Sequence, residues 1–182
     1  MTGTVIQQQI NAYVSFERKW NEYKHGFGSF ADSFWFGNNR IHNLTKSSFN
    51  NTILIDFVDS DGTRYQPAYK DFRVEDESTY YTLRVGAAFD LGLGDFSSIE
   101  SNFPYHNGMK FSTIDVDNDV STRICSGPRF GNAGWWYRDC NRCSLNGRFG
   151  AGHGDAGLTW DLITLSAPNL RSSRMLVRRL SG

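Results

Sequence analysis

The chain has 182 residues, enough for one domain with a substantial core, and its 19 Lys and Arg balance its 19 Asp and Glu. A formal net charge of zero removes the long-range attraction to phosphate that nucleic-acid binding draws on. Aromatics at 15% and 18 glycines against 21% charged residues exclude a disordered chain and point to a folded one rich in loops and β structure.

The opening residues, MTGTVIQQQI, lack a basic region leading into an apolar stretch, so the chain reads as processed, trimmed or intracellular. No apolar run approaches the ~18–20 residues of a helical membrane span. Thr4–Gln9 reads as a short strand. Phe16, Trp20 and Tyr23 then recur at i, i+4 and i+7 and predict a helix. Ser15 suits its N-cap, Lys24 and His25 its negative end, and Gly26 its C′ position. A second helix is predicted over Asn39–Lys46 with Ile41 and Leu44 facing inward. Strands follow at Thr52–Val58, closed by the Asp59–Gly62 turn, and at Arg64–Val74 and Tyr80–Val85. Gly86–Gly94 breaks the regularity, and Gly, Asn, Asp and Ser dominate from Asp95 to Gly157. Strand character returns in Leu158–Leu165 and Met175–Leu180. The regular half reads as scaffold, and the irregular half is where function belongs.

Two clusters in the irregular half carry chemistry. In Phe111-Ser-Thr-Ile-Asp115-Val-Asp117-Asn-Asp119, acids at alternate positions suit a hard cation such as Ca²⁺; an Asx-rich turn is the competing reading. An EF-hand does not fit, because Val120 stands where its Gly belongs and Ser126 where its Glu belongs. A site of so few carboxylates would be weak, with Kd ~10⁻⁴–10⁻³ M. Three cysteines, Cys125, Cys140 and Cys143, form the second cluster. A Cys125–Cys140 bridge would stabilise by ~3 kcal/mol in the chain-entropy picture. A zinc knot of these cysteines with His153 competes, and spacing alone leaves both open.

Other signals are weaker. Gly152-His-Gly154-Asp-Ala-Gly157 matches G-x-G-x-x-G, but no strand precedes it. No H-E-x-x-H or G-x-S-x-G is present, so nothing assembles a nucleophile with its base. Trp135-Trp136-Tyr137 reads as a strand burying one face. Arg171–Arg179 reads as a strand with a solvated charged face. Asn43-Leu-Thr45 and Asn50-Asn-Thr52 are N-glycosylation sequons.

Taken in order, Val14-Ser-Phe-Glu-Arg-Lys-Trp20, Tyr23-Lys-His-Gly26-Phe-Gly28, Phe34-Trp-Phe-Gly-Asn38, Tyr105-His-Asn-Gly-Met-Lys-Phe-Ser-Thr113, the Asp115–Asp119 run, Gly134-Trp-Trp-Tyr137, Cys140 and Leu145-Asn-Gly147 resemble the fibrinogen C-terminal domain over nearly the whole chain. The family pattern starts upstream, with a small subdomain holding its own disulfide, so the resemblance implies a fragment or trimmed variant. It also implies an α+β fold: a twisted antiparallel sheet with flanking short helices, then an irregular subdomain carrying calcium and ligand sites. Residues 1–182 would be a single such domain, with scaffold at 1–86, the irregular subdomain at 87–168 and a returning strand at 169–182.

Functionally, the resemblance implies a secreted, non-enzymatic recognition module that takes acetylated carbohydrate or a peptide or protein ligand, as lectins of innate immunity do. The alternative is a matrix or signalling domain that binds a protein receptor without sugar. Homo-oligomers would form through upstream segments. Carried over by position, calcium would be held by the Asp117 and Asp119 carboxylates and the Ser121 and Arg123 carbonyls, with Asp115 a neighbour. The family disulfide maps onto Cys125–Cys140. Cys143 departs from the pattern, as a free thiol or as a link to another chain. The Ser126–Asn132 stretch is longer than in the family and would reshape the pocket wall. The Asp139–Cys140 peptide would be cis, aiming backbone N–H groups at the ligand. Asn141 stands where relatives carry His, and Asp155 where an acid receives a peptide ammonium. His153 and Phe130 complete the pocket. Gly154 replaces the aromatic that cups an acetyl methyl, which favours an amine-bearing ligand.

Overall fold

A computed structural model describes residues 3–47, 50–165 and 167–179. In chain order its elements are β1 (Thr4–Gln9), α1 (Trp20–His25), β2 (Phe27–Gly28), β3 (Phe34–Trp35), α2 (Asn38–Thr45), β4 (Asn51–Val58), β5 (Arg64–Tyr65), β6 (Ala68–Tyr69), β7 (Arg73–Val74), β8 (Leu83–Arg84), β9 (Ala88–Phe89), β10 (Cys143–Ser144), β11 (Thr159–Trp160) and β12 (Ser172–Arg179). Eight strands form one antiparallel sheet in the order β2-β3-β1-β12-β4-β6-β9, with β5 also on β4. Two short strand pairs, β7–β8 and β10–β11, stand apart from it. Short helices beside an antiparallel sheet make the fold α+β, as the resemblance implies.

Chain closure is the organising feature. The last strand, β12, lies between β1 and β4 and pairs with β4 along its whole length, from Ser172 opposite Val58 to Arg179 opposite Asn51. Its alternation is the expected one: Ser173, Met175 and Val177 are buried while Arg174 is exposed. Leu180, predicted to end this strand, lies outside the described residues. β1 is buried on both faces, with Ile6 in the core on one, and the face that carries Gln7 and Gln9 is polar. Gln7 is fully buried and donates to the Leu145 carbonyl at 2.6 Å, and Gln9 donates to the Gly147 carbonyl at 3.0 Å. Sheet side chains therefore reach across and satisfy backbone in the irregular half.

Helix α1 starts at Trp20, not after a Ser15 cap. The Ser15 hydroxyl instead accepts from Glu17 N–H in a local turn, and Glu22 accepts from Lys19 N–H at the helix entry. Trp20 N–H donates to Asp115 Oδ1 at 2.9 Å, so a residue 95 positions away completes the helix end. At the other end Gly26 sits at φ 92°, where a side chain would be strained, and its N–H returns to the Glu22 carbonyl. Phe16 and Tyr23 are buried as expected, and the Tyr23 hydroxyl donates to the Phe16 carbonyl. Ile41 is fully buried, whereas Leu44 is only half-buried.

Several predicted strands break up. Arg64–Val74 is three short strands, interrupted by Pro67, which has no N–H for the ladder, and by Asp71 at φ 56°. Tyr80–Val85 keeps only β8, because Tyr80 and Tyr81 both take positive φ. Leu158–Leu165 keeps only β11; the Ile163 and Thr164 amides both return to the Trp160 carbonyl, and Leu162 and Leu165 are exposed. The Trp135-Trp136-Tyr137 expectation is also corrected. All three side chains are fully buried, and the only β pairing is the Ser112–Trp135 bridge. They join a core in which the Phe111 ring lies 5.2 Å from both Tyr23 and Trp136.

Candidate functional site

The acidic stretch is folded by its own side chains. Asn118 donates from its backbone to Ser112 Oγ and from its side chain to the Phe111 carbonyl, while Ser112 pairs with Trp135 in the core. This fixes a tight turn at the core surface. Asp115 accepts from Trp20 N–H and the Thr113 hydroxyl, a structural duty that keeps it out of the acid pair beyond. Asp117 Oδ1 accepts from Asp119 N–H at 3.3 Å. Asp119 accepts from Ser121 N–H at 2.8 Å and from Cys125 N–H at 3.1 Å, with one oxygen each. Burial first, and the charge of Asp117 beside it, push the Asp119 carboxyl above its ordinary range despite those two donors.

That donor set suits a hard cation. Two carboxylates stand together without a cationic side chain of their own, and among the described residues nothing donates to the Ser121 or Arg123 carbonyls. Asp117, Asp119, Ser121 and Arg123 would supply two carboxylates and two carbonyls, all oxygen, as Ca²⁺ prefers. Among the described residues no three of His, Cys, Asp and Glu gather as a metal set, so the carbonyls are needed.

The same loop grips the next segment. Ser121 Oγ donates to Asp139 Oδ1 at 2.8 Å, and the Arg123 guanidinium donates to that oxygen at 3.0 Å. These two donors, the hydroxyl first, hold the Asp139 carboxyl below its ordinary range. Cys125 and Cys140 are disulfide-bonded, and the Asp139–Cys140 peptide is cis. The zinc knot is thereby excluded: two of its sulfurs are bonded to each other, and His153 is exposed on a separate loop. Cys143 is free and fully buried, and burial holds its thiol well above the ordinary range. A link to another chain would first require opening the core.

His106 anchors the stretch beyond Cys140. It is fully buried; its Nδ1 donates to the Trp136 carbonyl at 2.7 Å, and its Nε2 accepts from the Arg142 and Cys143 amides at 3.3 and 3.4 Å. A neutral ring satisfies both sides, and burial, reinforced by Arg138 and Arg142, lowers its pKa to about 4. His106 lies in the Tyr105–Thr113 motif of the family resemblance, but the sequence does not assign it this role, since its partners are backbone groups.

The remaining expected pocket residues divide. Asn141 is half-buried, and its Nδ2 finds no acceptor. Phe130 is 5% exposed, packs on Tyr137 and lies under the Arg129 guanidinium, so it presents little apolar wall. Asp155 is exposed and paired with Arg129 at 3.3 Å. His153 and Asp155 sit on a loop pinned by Asn169, which donates to the Gly154 carbonyl at 2.9 Å. Among the described residues neither makes a hydrogen bond or ion pair with the 117–125 and 139 web. Close approach fixes the base of this loop: a Cβ on Gly147 would overlap the Gly157 carbonyl. The sequon residues Asn43 and Asn50 are both exposed.

Residues 2–179 match the family model described as fibrinogen beta and gamma chains, C-terminal globular domain. The chain belongs to the fibrinogen C-terminal domain family. It is 33% identical to fibrinogen-like protein A of Apostichopus parvimensis over 98% of this chain and 61% of that protein. It is 36% identical to human tenascin-R over 86% of this chain but only 11% of tenascin-R. The chain thus spans less than two thirds of these relatives. Among solved structures, the fibrinogen-like globe domain of human ANGPTL2 superposes with a TM-score of 0.85 at 33% identity, covering 96% of this chain and 79% of that one. Lamprey fibrin D-dimer, complexed with the peptide Gly-His-Arg-Pro-amide, superposes with a TM-score of 0.81 at 29% identity, covering 99% and 63%.

Proposed function

We propose that this domain is a non-enzymatic, calcium-dependent recognition module that works outside the cell. Asp117 and Asp119, with the Ser121 and Arg123 carbonyls, would hold Ca²⁺. The observation that carries this reading is the Asp117–Asp119 pair, two adjacent acids without a cation, one of them raised by burial and by the other. When bound, the ion would supply charge compensation. The chain's own residues do the rest: Ser121 and Arg123 clamp Asp139, and Cys140 ties the loop to Cys125.

Asp139, Cys140, Asn141, Phe130, His153 and Asp155 are the ligand-facing candidates, for acetylated carbohydrate or a peptide. The chemistry favours a peptide amine. Asp155 is held only by an exposed partner, Arg129, and such a pair contributes ~0–1 kcal/mol, so an ammonium can displace it. The peptide complex of the lamprey fibrin relative supports the same direction. A second reading, a matrix or signalling domain docking a protein receptor, is supported by the buried Phe130 and by the likeness to tenascin-R.

The test is thermal melting of wild type and Asp117→Ala in EDTA and in millimolar Ca²⁺. Calcium at ~10 times Kd stabilises by ~1.4 kcal/mol. Wild type should gain that increment and the variant should not. Equal losses in both buffers would remove Asp117 from the metal site. A glycan and peptide array with and without calcium then separates the ligand classes.

A further inference from the structure

Beside this pocket lies a cationic feature that the calcium reading does not use. The Arg142 guanidinium carbon sits 4.6 Å from the Tyr105 ring centroid, and that of Arg138 sits 5.3 Å from the same centroid. Arg138 also donates to the Tyr105 carbonyl at 3.3 Å. Both arginines are exposed, yet every ion pair among the described residues leaves them out. Asp161 feels the charge of Arg142 without forming an ion pair with it. The other acid nearby, Asp139, is already held by Ser121 and Arg123. Two exposed guanidinium groups gathered on one ring, neither engaged in an ion pair among the described residues, are free to take an anion together.

We propose that Arg138 and Arg142, held against Tyr105, bind the sulfate ester of a saccharide. Contact with the ring restricts both guanidinium groups in advance, so less side-chain entropy is left to lose on binding. A sulfate ester offers three terminal oxygens, so each guanidinium finds its own acceptors; the two oxygens of a carboxylate are filled by one fork. The backbone around these arginines, unlike the Asp155 carboxylate, favours sugar over peptide. The Arg142 guanidinium, a donor only, is uncommitted there and exposed. Three carbonyls of that backbone are taken: Asp139 by the Tyr105 hydroxyl, Cys140 by Arg138 N–H and Arg142 by Asp161 N–H. A sugar brings acceptor oxygens to such a surface, whereas a peptide also brings N–H groups that find few acceptors there.

The site goes beyond the calcium reading, because none of its side chains is a proposed metal ligand. The experiment measures binding of a heparin-derived tetrasaccharide and its desulfated form, in EDTA and in millimolar Ca²⁺. The chains compared are wild type, Arg138→Gln, Arg142→Gln, the double variant and Tyr105→Leu. The sulfated probe should bind in both buffers and more tightly than the desulfated one. Each Arg→Gln change should weaken it about tenfold with an unchanged melting temperature. Tyr105→Leu should weaken it while both charges remain, and raising salt from about 0.05 to about 0.5 M should weaken it further. The proposal is overturned if the double variant binds the sulfated probe as wild type does, or if binding vanishes in EDTA. It is equally overturned if hexaglutamate or a phosphoserine peptide binds more tightly than the tetrasaccharide. Loss of sulfate binding with an intact Asp117-dependent calcium shift refutes this site alone; the reverse pattern refutes the calcium reading alone.

Discussion

The sheet and the irregular segment from Tyr105 to Trp160 are both well packed, but they satisfy their backbone in opposite ways. In β1, β12 and β4, backbone pairs with backbone, along an unbroken register between β12 and β4 and with one shift between Val5 and Gln7 in β1. Past Tyr105 backbone pairs are scattered, and several backbone groups bond to side chains instead. Gln7 and Gln9 come from the sheet, His106 from a short 3₁₀ turn, and Trp136 Nε1 donates to the Tyr81 carbonyl at 2.8 Å. A stretch with little regular structure can therefore be as buried as a sheet when side chains supply partners for its backbone.

That contrast can be broken most forcefully at Trp136. Were the irregular half a loosely attached appendage, Trp136→Ala would cost little and melting would split into two transitions. The expected outcome is a single transition destabilised by about 3–5 kcal/mol, as for a core aromatic, measured by urea unfolding.

His106 gives a sharper comparison through pH. Its folded pKa, about 4, is lower than that of an unfolded histidine, so the unfolded chain binds the extra proton. Stability from this group is present in full above pH ~6.5 and is lost as pH falls from there towards the folded pKa, by up to ~3 kcal/mol. His106→Gln should flatten that part of the stability–pH curve. An unchanged slope would assign the acid sensitivity to other groups.

The smallest effect belongs to the sheet surface. Arg64 pairs with Asp56 at 2.6 Å, but its side chain is 59% exposed. Arg64→Ala should shift stability by less than about 1 kcal/mol, and the shift should shrink in high salt. A larger loss would mean that the sheet also depends on individual side-chain contacts.

How much was legible follows from the same physics. The β1, β4 and β12 strands, both helices and the Gly26 stop come from local alternation, helical spacing and one glycine, each readable within a short window. The disulfide and the cis Asp139–Cys140 peptide were legible only through the family resemblance, since neither leaves a periodic trace. The Ser15 cap failed because a distant acid, Asp115, holds the α1 entry instead. The Leu158–Leu165 strand failed because apolar residues do not reveal that two amides will fold back on one carbonyl.

From the order of its residues alone this chain specified its family, its sheet scaffold and the acid run that suits a cation. Those properties depend on residue type and on spacing between near neighbours. Only the folded chain decided that Asp139 is clamped by Ser121 and Arg123, that Asp155 is engaged by Arg129, and that two arginines share Tyr105 without an ion pair. Pairings between loops depend on where the backbone carries each side chain, and no local pattern encodes that distance.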